Sequence, residues 1–189
     1  MECDCITLPY DQTAYFSTLV IDYIKQSPRL ASFYAHAPNI AGVKAAIAQR
    51  KQFATPRQSL VTALTAQYQQ MPNANIVQAQ IALLAHENTF TVTTAHQPNI
   101  ATGPLYFIYK IAHAIKLSRH LQQQMPEYNF VPVYYMGSED ADLEELNHFT
   151  IDGKRYTWHT SQTGAVGRML VDEAFIALLH ELEKQISVL

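Results

Sequence analysis

Two stretches of this chain carry side chains that can do chemistry, and they lie well apart in sequence. The first is Ala95-His96-Gln97-Pro98-Asn99, followed closely by Thr102-Gly103-Pro104. An imidazole titrates near neutrality, so His96 can donate to a phosphate or serve as a general acid or base. Thr102 reads as a helix cap, and the free N–H groups of the turn behind it favour a negative group. Gly103 reads as a point where backbone approaches a ligand closely. The plainer alternative is a capped helix start whose histidine bonds a neighbouring carbonyl. The second stretch is GSEDADLEELNHF, residues 137–149, with Glu139, Asp140, Asp142, Glu144 and Glu145 close together. Such acids can orient an amine, hold Mg²⁺ through one or two carboxylates, or act as a general base. A helix dipole accounts for two or three of them, with Ser138 or Asp140 as cap, better than for all five.

Two further candidates are weaker. Arg168 follows the glycine-rich Gly164-Ala165-Val166-Gly167, where a guanidinium can clamp a carboxylate or phosphate. Lys110, His113, Lys116 and His120 fall on one side of a long helical pattern and read as a solvated face, with Lys110 alone able to reach back to the His96 turn. The other histidines show no metal-ligand spacing. No Walker loop, G-x-G-x-x-G or G-x-S-x-G is present, which disfavours the usual dinucleotide enzymes and P-loop NTPases.

The elements that must position these groups read as α/β, a helical N-terminal segment (1–86) followed by a partial Rossmann-like core with a β-hairpin (87–189). Phe16, Leu19, Val20, Tyr23 and Ile24 make one helical stripe that ends at Ser27-Pro28. A second helix follows Pro38-Asn39 with Ile40, Val43 and Ile47 inward; a third starts at Pro56; Val77, Ile81 and Leu84 mark a fourth. The pattern then changes. Thr89–Ala95 alternates as a strand, Pro104–Gln124 is helical, and NFVPVYYM (129–136) reads as a strand buried on both faces. Strand, helix, strand is a βαβ unit, which would bring the His96 turn and the acidic turn to one sheet edge, where open α/β sheets bind ligands. Two β-rich runs around Asp152-Gly153 predict a hairpin. A last helix from about Asp172 has Phe175, Leu179, Leu182 and Ile186 inward. Two parallel strands and a hairpin make a thin sheet, so the chain is expected to be part of a larger fold or to complete itself as a homo-oligomer.

Composition narrows the function classes. The chain has 189 residues, 48% hydrophobic and 15% charged, with a formal net charge of −3. Residues 1–86 hold six Lys/Arg against four Asp/Glu, and residues 87–189 hold seven against twelve. No dense basic run suggests nucleic acid, and no apolar run approaches a membrane span. Cys3 and Cys5 cannot close a metal site or a disulfide framework, and the acidic N-terminus has no apolar signal region. The expectation is a soluble, cytoplasmic protein.

Several linked motifs carry a resemblance. TVTTAHQPNIATGPLYFIYKI, YNFVPVYYMGSEDADLEELNHF and TGAVGR, with QTAYFSTLVIDYI and RKQF ahead of them, resemble the N-terminal part of the bacillithiol-biosynthesis cysteine-adding enzyme family. That resemblance implies a Rossmann-like core, laid out as in nucleotidylyltransferases and class I aminoacyl-tRNA synthetases, and a C-terminal half with a dimerising coiled coil that this chain lacks. It implies a ligase that joins L-cysteine to the amino group of glucosaminyl malate. His96, Asp140 and Asp142 are then the catalytic candidates. Gln97, Asn99, Thr102, Gly103, Lys110, Ser138, Glu139 and Arg168 are the substrate- or nucleotide-binding ones. The roles expected are an anionic group at His96 and Thr102-Gly103, an amine or metal at Asp140 and Asp142, and a carboxylate such as malate at Arg168. No resident metal is expected. Amide formation needs an activated carboxyl, for which ATP or ADP with Mg²⁺ are the candidates, although no motif here specifies ATP. The alternative is a truncated or diverged module, Rossmann-like but non-catalytic, that binds a ligand or another chain. A nucleotidylyltransferase of unrelated substrate is weaker still, since Asn99 stands where that superfamily's H-x-G-H motif has its second histidine.

Overall fold

The structure is a computed structural model that describes residues 6–187. Cys3 and Cys5 lie outside the described residues, as does the side chain of Thr102. The chain forms two compact units, Met1–Pro56 and Arg57–Leu189.

In the first unit, helix α1 (Thr18–Ile24) starts at Ser17, whose hydroxyl accepts from the Val20 amide. Helix α2 (Ile40–Arg50) starts at Asn39, whose side chain accepts from the Gly42 amide at 2.9 Å, as the Pro38-Asn39 signal predicts. Ile47 is buried, and Ile40 and Val43 are half-buried on the same side. The stripe on α1 forms, but Leu19, Val20, Tyr23 and Ile24 remain exposed. Periodicity identifies the apolar side of a helix without supplying anything to cover it.

The second unit holds the chemistry. Helix α3 (Arg57–Tyr68) follows Pro56, and α4 (Ala74–Leu83) follows Asn73. Strand β1 (Thr89–His96), helix α5 (Leu105–Gln124) and strand β2 (Asn129–Met136) form the expected crossover. The strands are parallel, with Thr89 opposite Asn129 and His96 opposite Met136. Arg57 ties the start of β1 in place: its guanidinium donates to the carbonyls of Leu84, Glu87 and Thr89 at 3.0–3.2 Å. Ala114, Ser118 and Leu121 of α5 are buried, and Lys110, His113, Lys116 and His120 lie exposed as expected.

Strand β2 departs from expectation. Phe130 and Val131 are buried, but Tyr135 and Met136 are 55% and 49% exposed. A continuous apolar run predicts cover on both faces throughout, yet among the described residues β1 is its sole strand neighbour, and Tyr134 to Met136 are exposed.

After a four-residue helix α6 (Leu143–Leu146), strands β3 (His148–Ile151) and β4 (Lys154–Thr157) form the hairpin. Asp152 and Gly153 both take positive φ, 48° and 77°, the conformation a two-residue primed turn demands. Phe149 and Tyr156 sit opposite one another and stack at 5.2 Å. With Trp158 and Leu178 they form a buried cluster under helix α7 (Glu173–Ile186). Asp172 caps α7 by accepting from the Phe175 amide at 2.9 Å and also accepts from Trp158 Nε1 at 2.8 Å. The inward face of α7 is Phe175, Leu178 and Leu182, correcting the expected line through Leu179 and Ile186, which are exposed. The bond from Trp158 to the capping residue joins the start of the helix to the hairpin.

Candidate functional site

The parallel strands end together, so the turns that follow them must meet. The Gly137 amide donates to the His96 carbonyl at 2.9 Å, and the Tyr134 hydroxyl donates to the same oxygen at 3.2 Å. Beyond this point Gln97 crosses from one turn to the other. Its side-chain amide donates to Asp140 Oδ2 at 3.0 Å and to Glu145 Oε2 at 3.3 Å. Asp140 in turn accepts from the Asp142 amide at 3.1 Å through its other oxygen, a local turn that fixes the carboxylate. The juxtaposition expected from the βαβ unit is therefore present.

His96 is held on both ring nitrogens. Nε2 lies 3.0 Å from the Tyr106 hydroxyl, and Nδ1 lies 2.9 Å from Asn99 Nδ2 and 3.2 Å from the Gln97 carbonyl. The Phe107 ring packs edge-on against the imidazole at 5.8 Å. Lys110 reaches back as expected: Nζ donates to the Ala95 carbonyl at 3.2 Å and stands 5.5 Å from the centre of the Tyr106 ring.

The expected capping role of Thr102 is not what the backbone provides. Thr102 closes a short 3₁₀ turn (Ile100–Thr102), and α5 begins at Leu105 with Pro104 in the cap position. Gly103 has a structural task. Its φ of 58° and ψ of −150° belong to a region that is essentially glycine's alone. A Cβ there would fall 2.5–2.7 Å from the Asn99 side chain. Glycine here makes room for Asn99, which holds the imidazole.

The acidic stretch is mostly turn. Residues 138–142 precede α6, so Glu139 and Asp140 are not first-turn helix acids, and neither Ser138 nor Asp140 is its cap. The Tyr135 hydroxyl donates to Glu139 at 3.1 Å. That bond and the repulsion of the carboxylate hold the Tyr135 phenol above its usual range. Tyr134 is also raised, by burial.

The glycine-rich loop docks on this turn. The Val166 amide donates to the Asp140 carbonyl at 2.8 Å and the Gly167 amide to the Ser138 carbonyl at 3.1 Å. A Cβ on Gly167 would lie 2.5 Å from Ser138 Cβ, so the close approach requires glycine. Arg168 itself lines a separate hollow of about 400 Å³ with Gln162, Thr163, Gly164, Ala165 and Met169. Among the described residues its guanidinium forms no ion pair with the acids of the turn. Ser138 contributes backbone to the site, while His96, Gln97, Asn99, Lys110 and Asp140 contribute side chains. Tyr106 and Glu145 belong with them. Tyr106 could have been found from sequence, because it lies one helical turn from Lys110 and on the same side.

Polar side chains of both turns meet at the carboxyl ends of two parallel strands, the place where α/β domains of Rossmann-like type hold their ligands. The family described as the N-terminal Rossmann-like domain of bacillithiol biosynthesis BshC matches residues 1–188, and this chain belongs to that family. A candidate cysteine ligase BshC of Flavobacterium psychrophilum is 44% identical over 172 residues, covering 89% of this chain and 32% of the relative. Its counterpart in Cytophaga hutchinsonii is 46% identical over 153 residues, covering 81% and 29%. One from Bacillus cytotoxicus is 30% identical over 130 residues, covering 69% and 24%. The chain thus spans about a third of the length of the first two of these curated relatives. Among the described residues no helix is long and apolar enough to cross a membrane.

Proposed function

We propose that this domain forms the substrate-binding part of a cysteine ligase that joins L-cysteine to glucosaminyl malate. The observation that carries the reading is the Gln97 side chain, which ties the His96 turn to Asp140 and Glu145 and makes one site of two walls. An amino acid has an ammonium and a carboxylate, and a site with carboxylates on one wall and His96, Tyr106 and Lys110 on the other suits that pair of charges. For the chemical step, an amine nucleophile must lose a proton as the amide forms. Asp140, whose carboxylate is set by the Asp142 amide, is the group to accept it. A nucleotide would supply the activation of the carboxyl. Arg168, in its own hollow, suits a second carboxylate such as that of malate.

Asp140→Ala in the complete enzyme should lower bacillithiol formation by about 10²–10⁴-fold, the range for loss of a general base, and His96→Ala should lower it through weakened ligand binding. Full activity in either variant would remove that residue from the site.

A further inference from the structure

We infer that Tyr106 is the group this site presents to an oxyanion of its ligand, with Asn99 and His96 acting as positioning residues that fix where the phenol's proton points. The inference rests on the reading above, that the turns at the ends of β1 and β2 bind substrate. Its starting point is the Asn99 amide. Nδ2 donates to the Gln97 carbonyl at 3.0 Å, which sets which end of the amide is nitrogen, since an oxygen there would face an oxygen. The same NH₂ group lies 2.9 Å from His96 Nδ1. An N–H facing an N–H is repulsive, so Nδ1 accepts and the ring proton resides on Nε2. The Gln97 carbonyl, 3.2 Å from Nδ1, competes for the opposite tautomer, but it already receives the Asn99 amide, and the shorter contact decides. Asn99 has little freedom to turn, because its side chain fills the space left by the missing Cβ of Gly103.

The proton on Nε2 then donates to the Tyr106 hydroxyl at 3.0 Å. With one lone pair occupied in this way, the phenol's own proton is directed away from the imidazole. Tyr106 is 52% exposed, which leaves room for a ligand beside the ring. Lys110, 5.5 Å from the centre of the same ring, places a positive charge beside it. A directed neutral donor next to an ammonium is suited to an oxyanion, either a carboxylate or a phosphate.

Two measurements on the 189-residue chain test this. Long-range ¹⁵N–¹H NMR of the imidazole should report an unprotonated Nδ1 and a protonated Nε2 in the parent protein. In Asn99→Ala the remaining acceptor, the Gln97 carbonyl, should draw the proton to Nδ1. Calorimetric titration with L-cysteine, L-malate and ATP separates a carboxylate source from a phosphate one. Tyr106→Phe should weaken whichever of these binds by about tenfold, the scale for a hydrogen bond to a charged group. Asn99→Ala should weaken it similarly, yet cost almost nothing further when Tyr106 is already Phe. A parent protein protonated at Nδ1 overturns the inference and leaves the functional reading standing, as does a Tyr106→Phe variant that binds with parent affinity. Additive losses in the double variant also overturn it, because Asn99 would then act by another route. Failure of all three compounds to bind the parent protein would defeat the functional reading, and this inference with it.

Discussion

The hairpin with α7 and the parallel strand pair belong to the same compact unit, but they are built on opposite plans. In the hairpin region Phe149, Tyr156, Trp158 and Leu178 are 6%, 2%, 6% and 7% exposed, a closed aromatic core. In the strand pair the burial of β2 ends after Val131, and Tyr134, Tyr135 and Met136 face outward beside the polar site. The apolar side chains packed against the hairpin cluster explain the arrangement. Ile100 comes from the turn after His96, Leu143 from the end of the acidic turn, and Met169 from the loop that carries Arg168. Each segment that frames the candidate site therefore places one side chain in the aromatic cluster. The strands bring His96 and Gly137 together, and the hairpin core holds the turns that follow them. A precise site on loops needs such support beneath it.

The largest effect should come from emptying that support. Phe149→Ala removes a buried ring stacked on Tyr156 and should cost about 3–5 kcal/mol in chemical denaturation. If the hairpin core holds the loops, ligand affinity should fall at temperatures where the variant is still folded. Unchanged affinity would mean that the strands alone position the site. Gly167→Ala should be next, at about 1–3 kcal/mol, since its Cβ meets the Ser138 backbone and something must shift. Hydrogen exchange should then show lost protection at the amides of Val166 and Gly167, which bond the acidic turn.

A smaller effect separates the two regions by pH. The Phe175 amide, followed by Trp158 Nε1, holds the Asp172 carboxyl below its ordinary value of 3.8. A carboxylate depressed in the folded state contributes stability in full above the unfolded value, and that contribution is lost as pH falls through the folded one. Fluorescence of Trp158, the single tryptophan, should follow this loss below about pH 4. Asp172→Asn should be less stable near neutrality and lack that acid transition. Tyr135→Phe should change least, with no measurable loss of stability, because the hydroxyl and its Glu139 partner are exposed. Ultraviolet titration of Glu139→Gln should show the Tyr135 phenol returning toward its ordinary range.

Much of this was legible in the sequence. Alternating Thr and Val, a long apolar helix and a second apolar run predict β1–α5–β2, and the crossover rule then brings His96 and the acids together. Asp152-Gly153 predicts the hairpin, because few residue pairs accept positive φ twice in succession. What escaped depends on distant contacts. Leu178 and Leu179 are equally apolar, and either gives helical spacing from Phe175, so the pattern leaves the rotation of α7 undecided by one residue. The run from Asn129 to Met136 does not say which half is covered. Gly103 signals a special backbone, but the occupant of the space beside it, Asn99, is known only once the turn is folded. Likewise Gly167 gives no sign in sequence that Ser138 is its neighbour.

If the His96 turn and the acidic turn form one ligand site, both must respond to the same ligand. The most direct test is an NMR titration of this chain with L-cysteine, following the backbone amides of His96, Gln97, Asp140 and Glu145. All four should move together on a single binding isotherm, while the amides of the first unit stay still. Shifts confined to one turn, or centred on the Arg168 hollow without the His96 turn, would contradict a single site.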